Sequence, residues 1–488
     1  MAGQRGKRGP RKMFRGETAV DCYDREKTQA ARMLRALICG LALLLTAPVG
    51  AKPLTAEQKF SIDSAVARIL KASEVPSASI AIVTDGKLDY ARAYGNQRLN
   101  GTIATTSARY PIASISKQFT AAAILLLVEA GKMSLDDKVA KYLPALTAAD
   151  SVTIRELLGH TSGYRDYWPQ DFAFAAMTKP TTPQSILDHW AKVPLDYKPG
   201  SKWQYSNTGY TAAGLIVELV ANESLQNFEQ RRLFRPLGMD VVLAANGLSR
   251  EDARGTSRYA LGPVRPAPGE GTGWAFAAGD LAMTPTELAK WNIARLSRTV
   301  LKPESWQLQE TNVAPVVAGL SYGLGVDIDV VGTHQRVWHD GGWSAYLSSN
   351  RVYPADHAAI TVFINAGFSN SQDAIADAIE AVLFNAADEA GEARLMFEKL
   401  RTGQVDRSKF TENGNFYFTS AALADYHSSL SVLGELKSMV RYKPTGLRGG
   451  LTIDRYILTF TDRKLQCVVR ADPSTGRIEQ FALYPFTD

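Results

Sequence analysis

Cysteine is scarce here, with three residues in a chain of 488. Cys22 and Cys39 lie in the first 51 residues, so the remainder keeps Cys467 alone and cannot form an internal disulfide. Stability must come from a core, and the 45% hydrophobic content is ordinary for a soluble globular protein. Histidine is nearly as sparse. Of the six, His334 and His339 stand five apart, while His160 and His189 are isolated, which argues against a zinc site. There is no glycine-rich phosphate loop and no convincing internal repeat, so neither a cofactor nor a metal is expected.

A charge of one sign is also missing from most of the chain. The formal net charge is +6, but residues 1–51 hold ten Lys and Arg against four acids, which leaves 45 of each sign in the rest. A body without excess basic charge gives no support to nucleic-acid binding.

The basic leader reads as an export signal. Met33-Leu34-Arg35 forms a positive start, Ala36 to Ala47 an apolar stretch, and Val49-Gly50-Ala51 a small-residue junction suited to cleavage near Ala51. Residues 1–32 read as an over-extended start. The apolar stretch is too short for a comfortable membrane span. A periplasmic or secreted location is the expectation.

The length allows two or three domains. Thr55-Ala56-Glu57-Gln58 has the form of a capping box, followed by an apolar helical stripe at Ile62, Val66, Ile69 and Leu70. Two strand-like runs, 78–84 and 87–94, meet at Asp85-Gly86, a hairpin signal. Residues 115–300 read as helices and loops. Strand character returns at 321–331, 334–338, 344–353 and 358–365, and a helix follows from Ser371 to Asn385. Strands at both ends of a helical middle predict an α/β fold: one antiparallel sheet of N- and C-terminal segments flanked by helices, with a large all-α insertion. The cleft is expected between the two parts. Residues 386–393 read as a linker, and 394–488 as a small α+β accessory domain, cystatin-like or NTF2-like in outline.

Three segments carry chemistry. In "YPIASISKQFTAAAILLLVEAGKM" (110–133), the run from Phe119 to Ala130 is apolar on nearly every side, as in a buried helix. Lys117 stands at its entrance, where the dipole disfavours a cation, and Ser114 lies one turn earlier on the same face. Burial and the dipole both push the lysine towards a neutral form that can take a hydroxyl proton. In "KPGSKWQYSN" (198–207), Tyr205 and Asn207 share a loop opening into a helix. The phenol can exchange a proton if nearby cations lower its pKa, and the carboxamide can serve substrate and Lys117 at once. In "VWHDGGW" (337–343), His339 ends a strand before a glycine turn and offers a donor beside accessible backbone.

In this order, the segments resemble the penicillin-recognising serine hydrolases: class C β-lactamases, D,D-peptidases, D-amino-acid-specific peptidases and related esterases. "LLGHTSGY" (157–164), "YSNTGYTAAGLIVE" (205–218), "RPLGM" (235–239), "AAGDLAMTPTELAKW" (277–291) and "YGLG" (322–325) extend the resemblance over roughly residues 55–385. It implies that Ser114 is the acylated nucleophile and Lys117 its activator. Tyr205 would act as general base and acid, and Asn207 as an anchor. His339 and Gly341 would form the third motif, and the N–H groups of Ser114 and Gly342 the oxyanion hole. The implied activity is that of a D,D-carboxypeptidase, D-amino-acid peptidase or esterase acting on a small molecule or peptide, such as a peptidoglycan stem. A class C-like β-lactamase or a non-hydrolytic penicillin-binding receptor is the alternative. His-Asp-Gly replaces the Lys-Thr-Gly of many β-lactamases, and both changes weaken the case for efficient β-lactam hydrolysis. Gly319–Gly323 matches a nucleophile elbow, but a strand-like run follows it where that motif needs a helix. The oligomeric state is not legible.

Overall fold

The computed structural model describes residues 51–170, 173–317, 319–384 and 391–486. The leader and most of the expected linker lie outside these residues.

Helix α1 (Ala56–Ser73) starts with the capping box read from the sequence: Thr55 Oγ1 accepts from the Gln58 amide, and Gln58 Oε1 from the Thr55 amide. Strands β1 (Ser77–Thr84) and β2 (Lys87–Gly95) form a hairpin at Asp85 (φ +48) and Gly86 (φ +67), the positive-φ pair such a turn needs. The middle of the chain supplies α2 (Lys117–Glu129), α3 (Asn207–Ala221) and α4 (Pro285–Leu296). Six strands follow: β3 (Ala314–Val317), β4 (Leu320–Tyr322), β5 (Asp327–Val331), β6 (His334–Trp343), β7 (Tyr346–Tyr353) and β8 (Ala358–Ile364). Helix α5 (Ser371–Leu383) comes next.

The antiparallel sheet runs β2-β1-β8-β7-β6-β5-β4-β3, so β1 pairs with β8 across most of the chain. One apolar cluster joins Ile62 and Val66 of α1, Ile375 and Ile379 of α5, and Ile80, Ile360 and Val362 of the sheet. A second and larger cluster fills the helical region around α2, with Phe119, Phe234, Trp291 and Trp306 fully buried.

The inserted region is not purely helical. A three-stranded patch pairs Leu281–Met283 with Tyr110–Pro111 and with Val242–Leu243, and Thr256–Ser257 pairs with Arg265–Pro266. Strands of two or three residues leave no alternation to read. The expected strand at 321–331 is two strands, broken at Gly323-Leu324-Gly325. A side chain on Gly323 would overlap the Gln309 carbonyl, and a Cβ on Gly325 (φ +77) would stand 2.7 Å from the Lys117 carbonyl. The bend exists so that this segment can press on the start of α2.

The expected glycine turn after His339 is also displaced. Gly341 and Gly342 remain in β6, and the turn falls at Ser344-Ala345. Gly341 is needed because a Cβ there would overlap the Ile112 carbonyl and Ser348 Oγ, whereas one at Gly342 would meet only Leu347 Cδ2 at 3.6 Å.

Residues 391–486 contain α6 (Gly391–Arg401), α7 (Glu412–Tyr417) and α8 (Ser420–Leu430). An antiparallel meander follows, β9 (Ser438–Arg448), β10 (Leu451–Thr459), β11 (Lys464–Ala471) and β12 (Ile478–Pro485). They share an apolar cluster that includes Phe397, Leu458, Cys467 and Phe481. Among the described residues no helix is long and apolar enough to cross a membrane.

The two glycines of β6 give a contrast open to measurement. Gly341→Ala is expected to destabilise by about 1–3 kcal/mol through overpacking against Ile112. Gly342→Ala is expected to stay within about 0.5 kcal/mol of the parent in chemical denaturation.

Candidate active site

Ser114 sits in a one-turn 3₁₀ segment, Ala113–Ser116, that runs directly into α2. Three contacts fix this turn. The Ile112 amide donates to the Leu281 carbonyl at 2.9 Å, Ser348 Oγ donates to the Ile112 carbonyl at 2.9 Å, and Ser116 Oγ accepts from the Leu281 amide at 3.3 Å. Ala113 adopts φ +46, a left-handed conformation that costs energy for a residue with a Cβ and holds the turn sharp.

Lys117 is fully buried one turn later. Its Nζ lies 2.9 Å from Ser114 Oγ, 2.8 Å from Asn207 Oδ1 and 2.7 Å from the Ala278 carbonyl. Burial lowers its pKa to about 7, against a weaker upward pull from Asp166. The geometry decides what a neutral Lys117 does. Asn207 Oδ1 and the Ala278 carbonyl can only accept, so the two remaining N–H bonds go to them. The lone pair is left facing Ser114, the one partner with a proton to give.

Asp166 makes that arrangement unambiguous, and the sequence reading missed it. Its carboxylate accepts from the Asn207 backbone amide at 3.0 Å and faces Asn207 Nδ2 at 3.4 Å, which turns Oδ1 of the amide towards Lys117. Asp166 is 41 residues from Asn207 in a loop with no pattern of its own.

Tyr205 stands over the same point, its ring centroid 4.8 Å from Lys117 Nζ. Its titration runs opposite to the sequence expectation. Burial, together with Asp166 and Asp327, raises the phenol well above its ordinary value, and the hydrogen bond with Ser114 offsets only part of this. Tyr205 is therefore a protonated donor at neutral pH.

His339 is likewise not the cationic donor expected of a third motif. It is 5% exposed, and burial, reinforced by Lys117, lowers its pKa to about 3. Both ring nitrogens are engaged within the protein. The contacts order a chain of bonds: His160 Nδ1 accepts from the Ser206 amide (3.1 Å), so its Nε2–H donates to Tyr322 Oη (3.2 Å). Tyr322 then donates to His339 Nε2 (2.9 Å), and His339 Nδ1–H donates to the Asp340 carbonyl (2.6 Å). His160, whose pKa burial also lowers, packs against the rings of Trp203, Tyr205, Tyr210 and Tyr322. His160 and Tyr322 lie inside segments quoted from the sequence, but nothing local signalled that they meet.

Strand β5 ends its pairing at Asp327 opposite Trp338, so β6 has a free edge from His339 onward. Counting the antiparallel alternation back from the Ser344-Ala345 turn, closed by Trp343 and Tyr346, directs the Gly342 amide to that edge. Ser114, Tyr205, Asn207, His339, Gly341 and Gly342 all line one cavity of about 920 Å³, with Tyr167, Trp168 and Trp338 as aromatic walls. Among the described residues no group of three or more His, Cys, Asp and Glu could hold a metal ion.

Tyr322→Phe would strand the His160 N–H donor and the His339 acceptor in the core. A loss of about 1–3 kcal/mol in denaturant unfolding is expected.

Comparison with known proteins agrees with this geometry. The family model described as "Beta-lactamase" matches residues 62–383. "Protein flp" of Staphylococcus aureus (strain MW2) is 30% identical over 326 residues, 64% of each chain, so this chain spans about two thirds of that relative's length. Penicillin-binding protein 4* of Bacillus subtilis (strain 168) is 29% identical over 303 residues, 57% of this chain and 66% of that one. Among solved structures, the D-amino acid amidase of Ochrobactrum anthropi SV3 superposes with a TM-score of 0.62 at 23% identity, covering 68% of this chain and 99% of that one. An octameric penicillin-binding protein homologue from Pyrococcus abyssi covers 88% of this chain and 96% of its own (TM-score 0.58, 22% identity). With two thirds of its length matched, and a serine paired to a buried lysine at the mouth of α2, the chain belongs to the beta-lactamase family of serine hydrolases.

Proposed function

We propose that Ser114 is the nucleophile of an acyl-enzyme hydrolase that cleaves amides or esters. The observation that carries this reading is the lone pair of a neutral Lys117, directed at Ser114 by two obligate acceptors. Neutral Lys117 takes the hydroxyl proton as Ser114 Oγ bonds to the substrate carbonyl carbon. The oxyanion faces the N–H groups of Ser114 and Gly342. Tyr205, held as a phenol, donates its proton to the leaving nitrogen or oxygen as that bond breaks. The proton held on Lys117 then passes to the Tyr205 phenolate, so the leaving group carries away the phenol proton and the serine proton restores the phenol. Water then enters by the same groups and releases the acid.

Charge narrows the substrate. No lysine or arginine is among the described residues lining the cavity, and Asp327 and Asp340 are. His339 cannot replace the missing cation, because it is neutral and internally bonded. A substrate carboxylate therefore has no counter-ion here. This favours a D-amino-acid peptidase, amidase or esterase over a D,D-carboxypeptidase or a β-lactamase, whose substrates carry a carboxylate. The D-amino acid amidase among the structural relatives is in keeping with that range. The leader reading supports export to the periplasm or medium as part of the same proposal.

The test is turnover of p-nitrophenyl acetate by the purified chain. Ser114→Ala is expected to abolish turnover. Lys117→Ala and Tyr205→Phe are expected to cost roughly a hundredfold or more each in acylation. Stoichiometric labelling of Ser114 without turnover would replace the hydrolase by a receptor. Because Lys117 acts as the free amine, kcat/KM is expected to rise with pH through about 7. Asp166 stabilises the ammonium, so Asp166→Asn is expected to move that rise to lower pH.

A further inference from the structure

The acidic side of the cavity has a second peculiarity besides its charge: two of its buried acceptor oxygens have no protein donor. Gln372, in the first turn of α5, is 4% exposed and lines the cavity. Its Nε2 donates to Asp373 Oδ2 at 3.0 Å, which identifies the other end of the amide as oxygen, and that buried oxygen has no partner. Asp340 Oδ1, on β6 and lining the same cavity, is also buried without a partner. Burial first, and then the neighbouring Asp373 carboxylate, opposes the ionisation of Asp340. Asp327 completes the group from β5, its ionisation opposed by burial and by the nearby Asp340 carboxylate.

The two nearby guanidiniums form their ion pairs with other carboxylates, and Arg351 Nε is left buried without a partner. Arg351 is held by Asp373 at 3.6 Å, Asp377 at 2.6 Å and Glu380 at 3.3 Å, and Arg336 by Asp329 at 2.6 Å and Glu380 at 3.1 Å. The buried unpartnered donors along the described cavity wall are the Trp338 indole N–H and the Ser344 hydroxyl, both uncharged. A ligand group answering the acceptors of this wall must donate several hydrogen bonds and carry positive charge. A primary ammonium does both.

We infer that Asp340, Gln372 and Asp327 form a receptor for an ammonium group on the substrate, so that the enzyme selects amine-bearing acyl donors. The inference rests on the proposal that Ser114 is acylated. The ammonium nitrogen donates to Asp340 Oδ1 and Gln372 Oε1 and relieves the repulsion between Asp340 and Asp327. The three are specificity-determining residues and take no part in proton transfer.

The test uses the full-length chain and matched pairs of p-nitrophenyl esters: glycyl, 4-aminobutyryl and 6-aminohexanoyl, each as the free amine and as its N-acetyl counterpart. The series places the charge at three distances from the scissile carbonyl. At least one amine is expected to exceed its N-acetyl partner tenfold or more in kcat/KM. That ratio is expected to fall at least fivefold in Asp340→Asn and in Gln372→Leu, and to be retained in Gln372→Glu. Asp327→Asn, on a different strand, provides an independent loss should either of the first two fail to fold. A ratio below tenfold for all three pairs, or one unchanged in every folded variant, overturns the inference. Cleavage of p-nitrophenyl acetate without an amine preference removes the ammonium receptor alone. Absence of any ester cleavage removes the acyl-enzyme proposal and this inference with it.

Discussion

Everything in the candidate active site depends on taking one ammonium out of water. Lys117 is fully buried at the positive end of a helix, and its pKa falls to about 7 because the interior penalises the charge. A lysine placed so would ordinarily be a defect. Here it is held by three oxygens, two of them unable to donate. Much of the surrounding structure maintains that geometry: Asp166 orients Asn207, the Leu281 strand ties down the turn of Ser114, and Gly325 lets the β4–β5 bend touch the Lys117 carbonyl.

The fold supplies the two halves of the site from different layers. The Ser114 turn and α2 come from the helical region, while the free edge of β6 comes from the sheet. They meet because Gly341 lacks a side chain and Ser348 bonds to the Ile112 carbonyl. The separation of α2 from β6 is thus set at a single backbone crossing, two residues from Ser114.

What the sequence revealed and what it hid divide along a physical line. Ser114 and Lys117 are one helical turn apart, and Tyr205 and Asn207 are neighbours on a loop, so their relations are local and can be read. The antiparallel sheet of distant segments was also legible, because β1, β2 and β8 carry largely apolar or alternating runs. Asp166, His160 and Tyr322 act through contacts across 17 to 162 residues, and no local pattern encodes them. The sign of the Tyr205 shift was misread for a related reason. A cation nearby argues for a lowered pKa, but burial dominates, and burial is a property of the assembled core. Gly341 and Gly342 looked like a turn because glycine permits one. In the structure Gly341 serves close approach instead.

The sheet's strand order has a consequence for how the chain reaches this state. Partners such as Ile82 and Ile360 lie about 280 residues apart, so the central strand β1 cannot acquire its second neighbour until nearly all of residues 51–384 exists. Before then the β1–β2 hairpin offers an open edge on a strand that the finished fold buries along its whole length. Contacts of such high sequence separation slow folding and leave intermediates prone to association. Recovery of this protein from denaturant should therefore depend on concentration long before its chemistry matters.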